Sequence, residues 1–467
     1  MQSRLAITGG VLVTEHGAVP GNLTVDESGR ISAVLAEAVI PDAAEVVDAT
    51  GLLVLPGVVD GHSHLNDPGY TDSEDFYTGT CGAAAGGVTT VIEHPLTDPL
   101  PDSLDVFLAK REIAGAKAVV DYALWAALTP DNVSYQGVKT RELARLAGAG
   151  AVAFKGFMTF TWEIPRLDDG LLMVAFRRVG ELGLPIGVHS ENGEVIRYLS
   201  EHLRASGRED PLSHGEARPE ITEREAVARV LELSRGSEAR VHLVHLSVPE
   251  AVDLVARARF EGRTVSAETC PHYLTLTEEA LTRLGPYAKC NPPLRSSRCV
   301  EGMWQRLSLG RIDSVGSDHG PFTRQEKERD SFWDVPAGVT GIQVMLPLMV
   351  TECLRRGIPL ESVVRLCSSN PARLFGLYPR KGVLAPGSDA DLVLLDPREQ
   401  WELTSGELFA KEKWTPHEGW RLTARVRRTI VRGQTVYVDG PGGGRICVEP
   451  GYGRFLRPGA GREEGSA

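Results

Sequence analysis

Short apolar runs, each followed by a helix-like stretch, recur through the middle of the chain. They lie at 52–59, 88–93, 119–126, 151–154, 184–188, 241–246, 264–267 and 312–315, with amphipathic stretches such as 222–233 and 249–260 between them. Runs of that length read as strands. Consecutive parallel strands can be joined only by a connection that crosses the sheet, so the alternation predicts an α/β fold with right-handed crossovers. Eight units over roughly 320 residues predict a (β/α)₈ TIM-like barrel with large loops. No repeat of about 20–50 residues is present, which excludes a solenoid.

The two ends of the chain have another texture. Short segments at 5–14, 22–25 and 31–35 are separated by Gly, Pro and Asp turns. The pattern returns at 391–395 and 424–437, the latter turning at Arg432-Gly433. The tail after Pro441 is Gly-rich and charged, and is expected to be poorly ordered.

Composition narrows the function classes. The chain has 467 residues, 42% hydrophobic and 24% charged, which suits two or three domains or one large barrel with an appendage. A net charge of −12 without a Lys/Arg block argues against a nucleic-acid partner. Seven scattered cysteines without a CxxC pair indicate neither a disulfide framework nor a zinc finger. No stretch approaches the ~20 apolar residues that span a bilayer. The N-terminus lacks the continuous apolar segment of a secretory signal. A soluble cytoplasmic protein with no membrane partner is the expectation.

The residues at the end of each apolar run carry the chemistry. Asp60-Gly61-His62-Ser63-His64 comes after the first, and Lys155 after 151–154. His189 ends 184–188, His245 succeeds 241–244, and Asp318 succeeds 312–317. In a parallel barrel all these positions lie at the C-terminal rim, where active sites are built. On an extended segment His62 and His64 point to the same side. Four histidines and an aspartate at strand ends suit zinc and its first-row neighbours. His94, His242, His272 and His319 are read first as packed or hydrogen-bonded imidazoles. Lys155, between Phe154 and Gly156-Phe157-Met158, is expected to be desolvated, which favours its neutral amine. Either the side chain snorkels its charged head into water, or the neutral amine adds carbon dioxide to become a carbamate, whose two oxygens can bridge two cations. Two divalent ions ~3.5–4 Å apart lower the pKa of a shared water and polarise a carbonyl. Asp318 could ligate one ion, take the water's proton and return it to a leaving nitrogen. That chemistry is hydrolysis of an amide-like C–N bond.

The chain resembles the cyclic amidohydrolase branch of the amidohydrolase superfamily: hydantoinases, dihydropyrimidinases, allantoinases and dihydroorotases. The resemblance rests on GLLVLPG at 51–57 running into DGHSH, GTCGAAAGGVTT at 79–90, FKGFM at 154–158 and ETCPHYL at 268–274. KCNPPLR at 289–295, GSDHGPF at 316–322 and KGVLAPGSDADLVLLD at 381–396 complete it. It implies a barrel at 56–377 with a small β-sandwich built from both chain ends, 1–55 and 378–467. It implies His62 and His64 as ligands of the more buried metal, Lys155 as the carbamylated bridge, His189 and His245 as ligands of the second metal, and Asp318 as ligand and base. Zinc is the first expectation, with manganese, cobalt or nickel as alternatives, and the family commonly forms homotetramers.

Two departures bear on the substrate, a small cyclic amide. Dihydroorotases typically carry an arginine two residues after the second metal histidine, where Asn66 stands and cannot supply a charge-assisted fork. Hydantoinases usually carry a tyrosine five residues after the bridging lysine, where Phe160 has no donor. Long stretches at 79–101, 301–322 and 414–433 resemble allantoinases best, although His94 and Gly156 stand where those often have Met and Cys. Asn66, Asn291 and the loop ending at Gly341 are the expected substrate contacts. Hydantoin or dihydropyrimidine hydrolysis is the nearest alternative. A scaffold relative that has lost its metals is remote, because all six ligand positions keep the family's residue type.

Overall fold

At 52–59 the local pattern and the fold part company. In the computed structural model of the chain, which describes residues 2–134, 141–160, 164–440 and 442–459, this single apolar run is two strands in two different sheets. The chain opens with β1 (Ser3–Thr14), β2 (Gly17–Val25), β3 (Ile31–Ala36), β4 (Ala43–Asp48) and β5 (Leu53–Pro56). Gly57 then leads into β6 (Val58–Ser63); a Cβ there would collide with the Thr89 side chain, so only glycine allows the approach.

The barrel continues through β7 (Val88–Glu93), β8 (Asp121–Ala127), β9 (Ala153–Phe157) and β10 (Pro185–His189). It ends with β11 (Arg240–Leu243), β12 (Val265–Thr269) and β13 (Ser314–Val315). Pairing is parallel and follows chain order from β6 to β13. The seam between the last and first strands closes beyond β13. Asp318 N–H donates to the His62 carbonyl at 2.8 Å, and His64 N–H to the His319 carbonyl at 2.6 Å. Closure therefore runs through the backbone of three expected ligands. The helical stretches form Glu220–Leu233 and Pro249–Phe260, the second with its proline in the first turn, where a missing N–H costs nothing.

The remaining strands are β14 (Leu392–Asp396), β15 (Trp401–Glu402), β16 (Arg421–Leu422), β17 (Arg425–Val431), β18 (Gln434–Val438) and β19 (Arg445–Ile446). Both chain ends share one nine-stranded sheet in the order β19-β18-β17-β14-β5-β1-β2-β3, with β4 beside β1. Strand periodicity splits its two faces. Leu12, Val54, Leu392 and Leu394 enter the sheet's own core, while Val13, Leu55, Val393 and Leu395 pack into the main core with the barrel. Lys381, fully buried, ties the parts together through Asp121 and Asp391 at 2.6 Å each and Asp389 at 3.0 Å.

The tail corrects one expectation. Through Gly459 it is ordered by backbone pairing with the start of β8: Tyr122 N–H donates to Arg454 O at 3.0 Å and Leu456 N–H to Tyr122 O at 2.7 Å. Leu456 is 1% exposed, and the Phe455 ring packs beside Tyr122 and Phe107. A glycine-rich composition permits disorder, but two well-placed apolar side chains and a free strand edge outweigh it. All seven cysteines are free. Among the described residues no helix is long and apolar enough to cross a membrane.

Candidate active site

Parallel strands deliver their C-terminal ends to one face, and the expected ligands arrive there. His62 lies near the end of β6, His189 closes β10, and His64, His245 and Asp318 lie just beyond β6, β11 and β13. Lys155 lies within β9 rather than after it, its side chain turned into the barrel mouth. These six residues line one cavity together with Asn66 and Asn291. His62 Nε2 lies 3.1 Å and His64 Nε2 3.3 Å from Asp318 Oδ1, and His189 Nδ1 lies 2.9 Å from His245 Nε2.

Electrostatics suit a cation site. Burial opposes the charge on Asp318, but His62 and His64 outweigh it and hold the carboxyl well below the usual range. Burial likewise works against charging His62, yet Asp318 and Glu268 on either side raise its pKa. Burial brings His64 down to about 4 and holds His245 well below the usual imidazole value, so both are neutral donors. Lys155 is pushed down to about 8 by burial, against Asp318 and Glu268, so its uncharged amine is accessible near neutrality. Its Nζ has no carboxylate partner among the described residues and lies 5.2 Å from the centre of the Phe157 ring.

Buried polar atoms are normally paired, and leaving one unmade costs about 1–3 kcal/mol. Here His64 Nδ1, His94 Nδ1 and Nε2, and His245 Nδ1 are buried without hydrogen-bond partners among the described residues, and His62 Nε2 has only the Asp318 carboxylate beside it. Unspent imidazole nitrogens around a carboxylate are the donor set that zinc and its neighbours take. Backbone strain marks the same place. Among the described residues, Asn66, His245 and Asp318 are three of the four non-glycine residues with positive φ, at 59°, 42° and 46°. Such conformations persist where surrounding structure enforces them, commonly at functional sites.

Sequence reading passes over the residues that orient these side chains. Glu268, from the ETCPHYL segment, accepts from His62 Nδ1 at 2.7 Å, and Glu191 meets His189 Nε2 at 2.8 Å. Both carboxyls are brought to about 2, their histidine and, for Glu191, arginine neighbours outweighing burial. A carboxylate behind a ligand histidine fixes its ring and raises its basicity. The signal for Glu191 is its position two residues after His189; for Glu268 it is a lone acid at a strand end. Asp60, raised to about 6 by burial, accepts from Ser317 and from His62 N–H and so braces the seam.

The expected substrate contacts divide. Asn291 faces the cavity with an Oδ1 that has no hydrogen-bond partner among the described residues. Asn66 also lines it, with its amide donating to Pro321 O at 3.1 Å. Gly341 stands back: its N–H donates to His319 Nδ1 at 3.2 Å and its carbonyl accepts from Val344, while Gly338 of the same loop lines the cavity. Phe160 is 67% exposed on the outer rim. His242 and His319 spend both ring nitrogens in hydrogen bonds, as packed imidazoles should.

The Amidohydrolase family profile matches residues 53–436. An allantoinase of Deinococcus radiodurans is 38% identical over 462 residues, covering 98% of this chain and 99% of its own. An L-hydantoinase of Paenarthrobacter aurescens is 34% identical, covering 95% of this chain and 96% of its own. Among solved structures, an L-hydantoinase (dihydropyrimidinase) from Arthrobacter aurescens superposes with a TM-score of 0.92 at 33% identity, covering 98% of this chain and 100% of its own. With six ligand-type side chains on one barrel rim and this likeness along almost the whole chain, the protein belongs to the amidohydrolase family.

Proposed function

We propose that the protein is a hydrolase that opens cyclic amide rings, with allantoin as substrate and allantoate as product. The observation that carries the reading is the convergence of His62, His64, His189, His245 and Asp318 around the desolvated Lys155 in one rim cavity. The family implies a binuclear metal centre, and the unspent nitrogens fit one. His62 and His64 would hold the more buried ion, His189 and His245 the second, with Asp318 as a further ligand and the Lys155 carbamate between them. Two such ions, zinc first among manganese, cobalt and nickel, supply a water acidified towards neutrality and a polarised ring carbonyl.

The chain's own groups do the rest. Asp318 holds a carboxylate oxygen where it can accept the water's proton and pass it to the departing ring nitrogen. Asn291 offers an amide to the ring. Gly338, in the loop that ends at Gly341, contributes cavity wall. Support for allantoin over its rivals comes from the curated allantoinases that align along nearly the full length. Asn66 also lacks the charge that would hold a ring carboxylate. Hydantoinase activity is the second reading, favoured by the L-hydantoinase likeness in both sequence and structure. We place the enzyme in the cytoplasm, where seven free thiols persist, as a homotetramer.

The test is ring-opening turnover of allantoin, a 5-substituted hydantoin, dihydrouracil and dihydroorotate by protein supplied with metal and bicarbonate. Dominant allantoin turnover is expected. Preference for hydantoins would select the second reading, and no turnover of any ring by metal-loaded protein would refute both.

A further inference from the structure

Lys110 and Lys381 are fully buried and face carboxylates; Lys327 is fully buried and pairs with none among the described residues. It ends the one-turn helix Arg324–Lys327, which a reciprocal Thr323–Glu326 capping box holds in place. Its Nζ donates to backbone carbonyls instead: Gly338 O at 2.8 Å, Pro336 O at 2.9 Å, Pro286 O at 3.1 Å and, at the limit, Lys289 O at 3.5 Å. The rings of Phe322 and Trp414 cover it, their centres 5.5 and 5.3 Å away. An ammonium carries three N–H donors, and here they gather two separate loops. Both loops run into cavity wall. Asn291 lies two residues after Lys289, and Ala337 and Gly338 line the same cavity, as does Phe322. Gly338 N–H also donates to Lys289 O at 2.8 Å, and Gly320 N–H to Val339 O at 2.9 Å. Burying an unpaired ammonium is unfavourable, and an apolar side chain could fill the same space, so the charge calls for a reason.

We propose that Lys327 is a positioning residue for the substrate: its ammonium clamps the loops at 286–291 and 336–338, so that Asn291 and Gly338 meet the ring at fixed places. The inference rests on the cyclic amide hydrolysis of the proposed function and deepens it. Lys327 bonds to none of the six ligand residues and is not itself cavity wall, so it acts through the wall and not on the reacting atoms. Releasing the clamp weakens ring binding and leaves metal loading intact. A wall held by one charged group gives its backbone a single arrangement before the ring arrives, which lowers the ordering cost of binding.

The experiment uses the full-length, metal-loaded protein and whichever ring the wild type opens best. Lys327→Met keeps most of the side chain's length and removes its donors. Its KM is expected to rise about tenfold or more, the scale of losing hydrogen bonds from a charged group, with kcat and zinc content close to wild type. Hydrogen exchange supplies a readout that needs no turnover. Exchange across 333–341 and at Gly320 is expected to be slow in the wild type and about tenfold faster or more in Lys327→Met. Lys327→Gln keeps two N–H donors and is expected to fall between the two in both measurements. Wild-type KM or wild-type exchange in folded Lys327→Met overturns the proposal, and so does a loss confined to kcat or to bound zinc. Should neither variant fold, the wild type alone decides. Gly320 and Gly338 amides as protected as those of the barrel strands support the clamp, and exchange as fast as in an exposed loop overturns it. A wild type that opens no ring brings down the proposed hydrolysis instead, and the exchange comparison still decides the role of Lys327.

Discussion

Replacing Glu268 by Gln removes one buried charge while keeping the shape of the side chain. Glu268 is 1% exposed and accepts three hydrogen bonds: from His62 Nδ1 at 2.7 Å, from His242 Nε2 at 3.2 Å and from His245 N–H at 3.3 Å. With its carboxyl at about 2, it is ionised at neutral pH, so the His62 contact is charge-assisted. Gln has one oxygen and one NH₂ in place of two acceptors, so one imidazole must change tautomer or face a donor. A hydrogen bond to a charged group contributes about 1.5–3 kcal/mol. Losing the charge behind a ligand histidine typically weakens metal binding about 10- to 100-fold. At about 1.4 kcal/mol per factor of ten the two scales agree. Chelator competition at neutral pH measures the affinity, and turnover in excess zinc separates weak binding from poor catalysis. A folded Glu268→Gln protein with zinc affinity within twofold of wild type would refute the idea that this carboxylate sets His62.

Lys155→Ala should abolish most turnover with partial recovery in short carboxylic acids; undiminished activity without them would exclude a bridging carbamate. Asp318→Asn should lose at least about 10²-fold in kcat, the scale of a general-base contribution, while its thermal unfolding stays cooperative. Leu456→Ala should cost about 2–5 kcal/mol in urea unfolding, because the side chain is sealed under the barrel; a change below 0.5 kcal/mol, roughly surface-like, would mean the tail is dispensable. Burial pushes Lys289 down to about 7, so the unfolded chain binds the extra proton above that pH. Stability should therefore rise as pH climbs from about 7 towards the unfolded lysine value near 10.5, and Lys289→Met should flatten that slope in denaturant titrations.

Much of the candidate site is legible because it rests on local pattern. A strand of the barrel is an apolar run, and the residue at its C-terminal end is a rim residue wherever parallel strands close. His62 and His64 share a direction through period-two alternation alone. The positions of Lys155, His189, His245 and Asp318 come from the same counting, with Lys155 displaced by two residues because β9 runs on through Phe157. For Gly341 a glycine-rich loop does not show which backbone groups are already engaged: its N–H meets His319 and its carbonyl meets Val344 only in the folded chain.

Other features depend on partners hundreds of residues away. Glu268 pairs with His62 across 206 residues, and nothing near either one announces it. The run at 52–59 is apolar throughout because β5 is buried between sheet layers and β6 inside a barrel; composition cannot distinguish the two, whereas pairing with β14 and β7 does. The tail's order comes from the free start of β8, an edge no tail sequence can foresee. His94 shows the division most plainly. One histidine after a strand reads as packing, and only the folded chain reveals a ring on His62 with both nitrogens unspent. Strand periods and rim positions are written locally because backbone sterics act between neighbours. Partnership, desolvation and strain belong to the tertiary structure because they exist only when distant groups exclude water together.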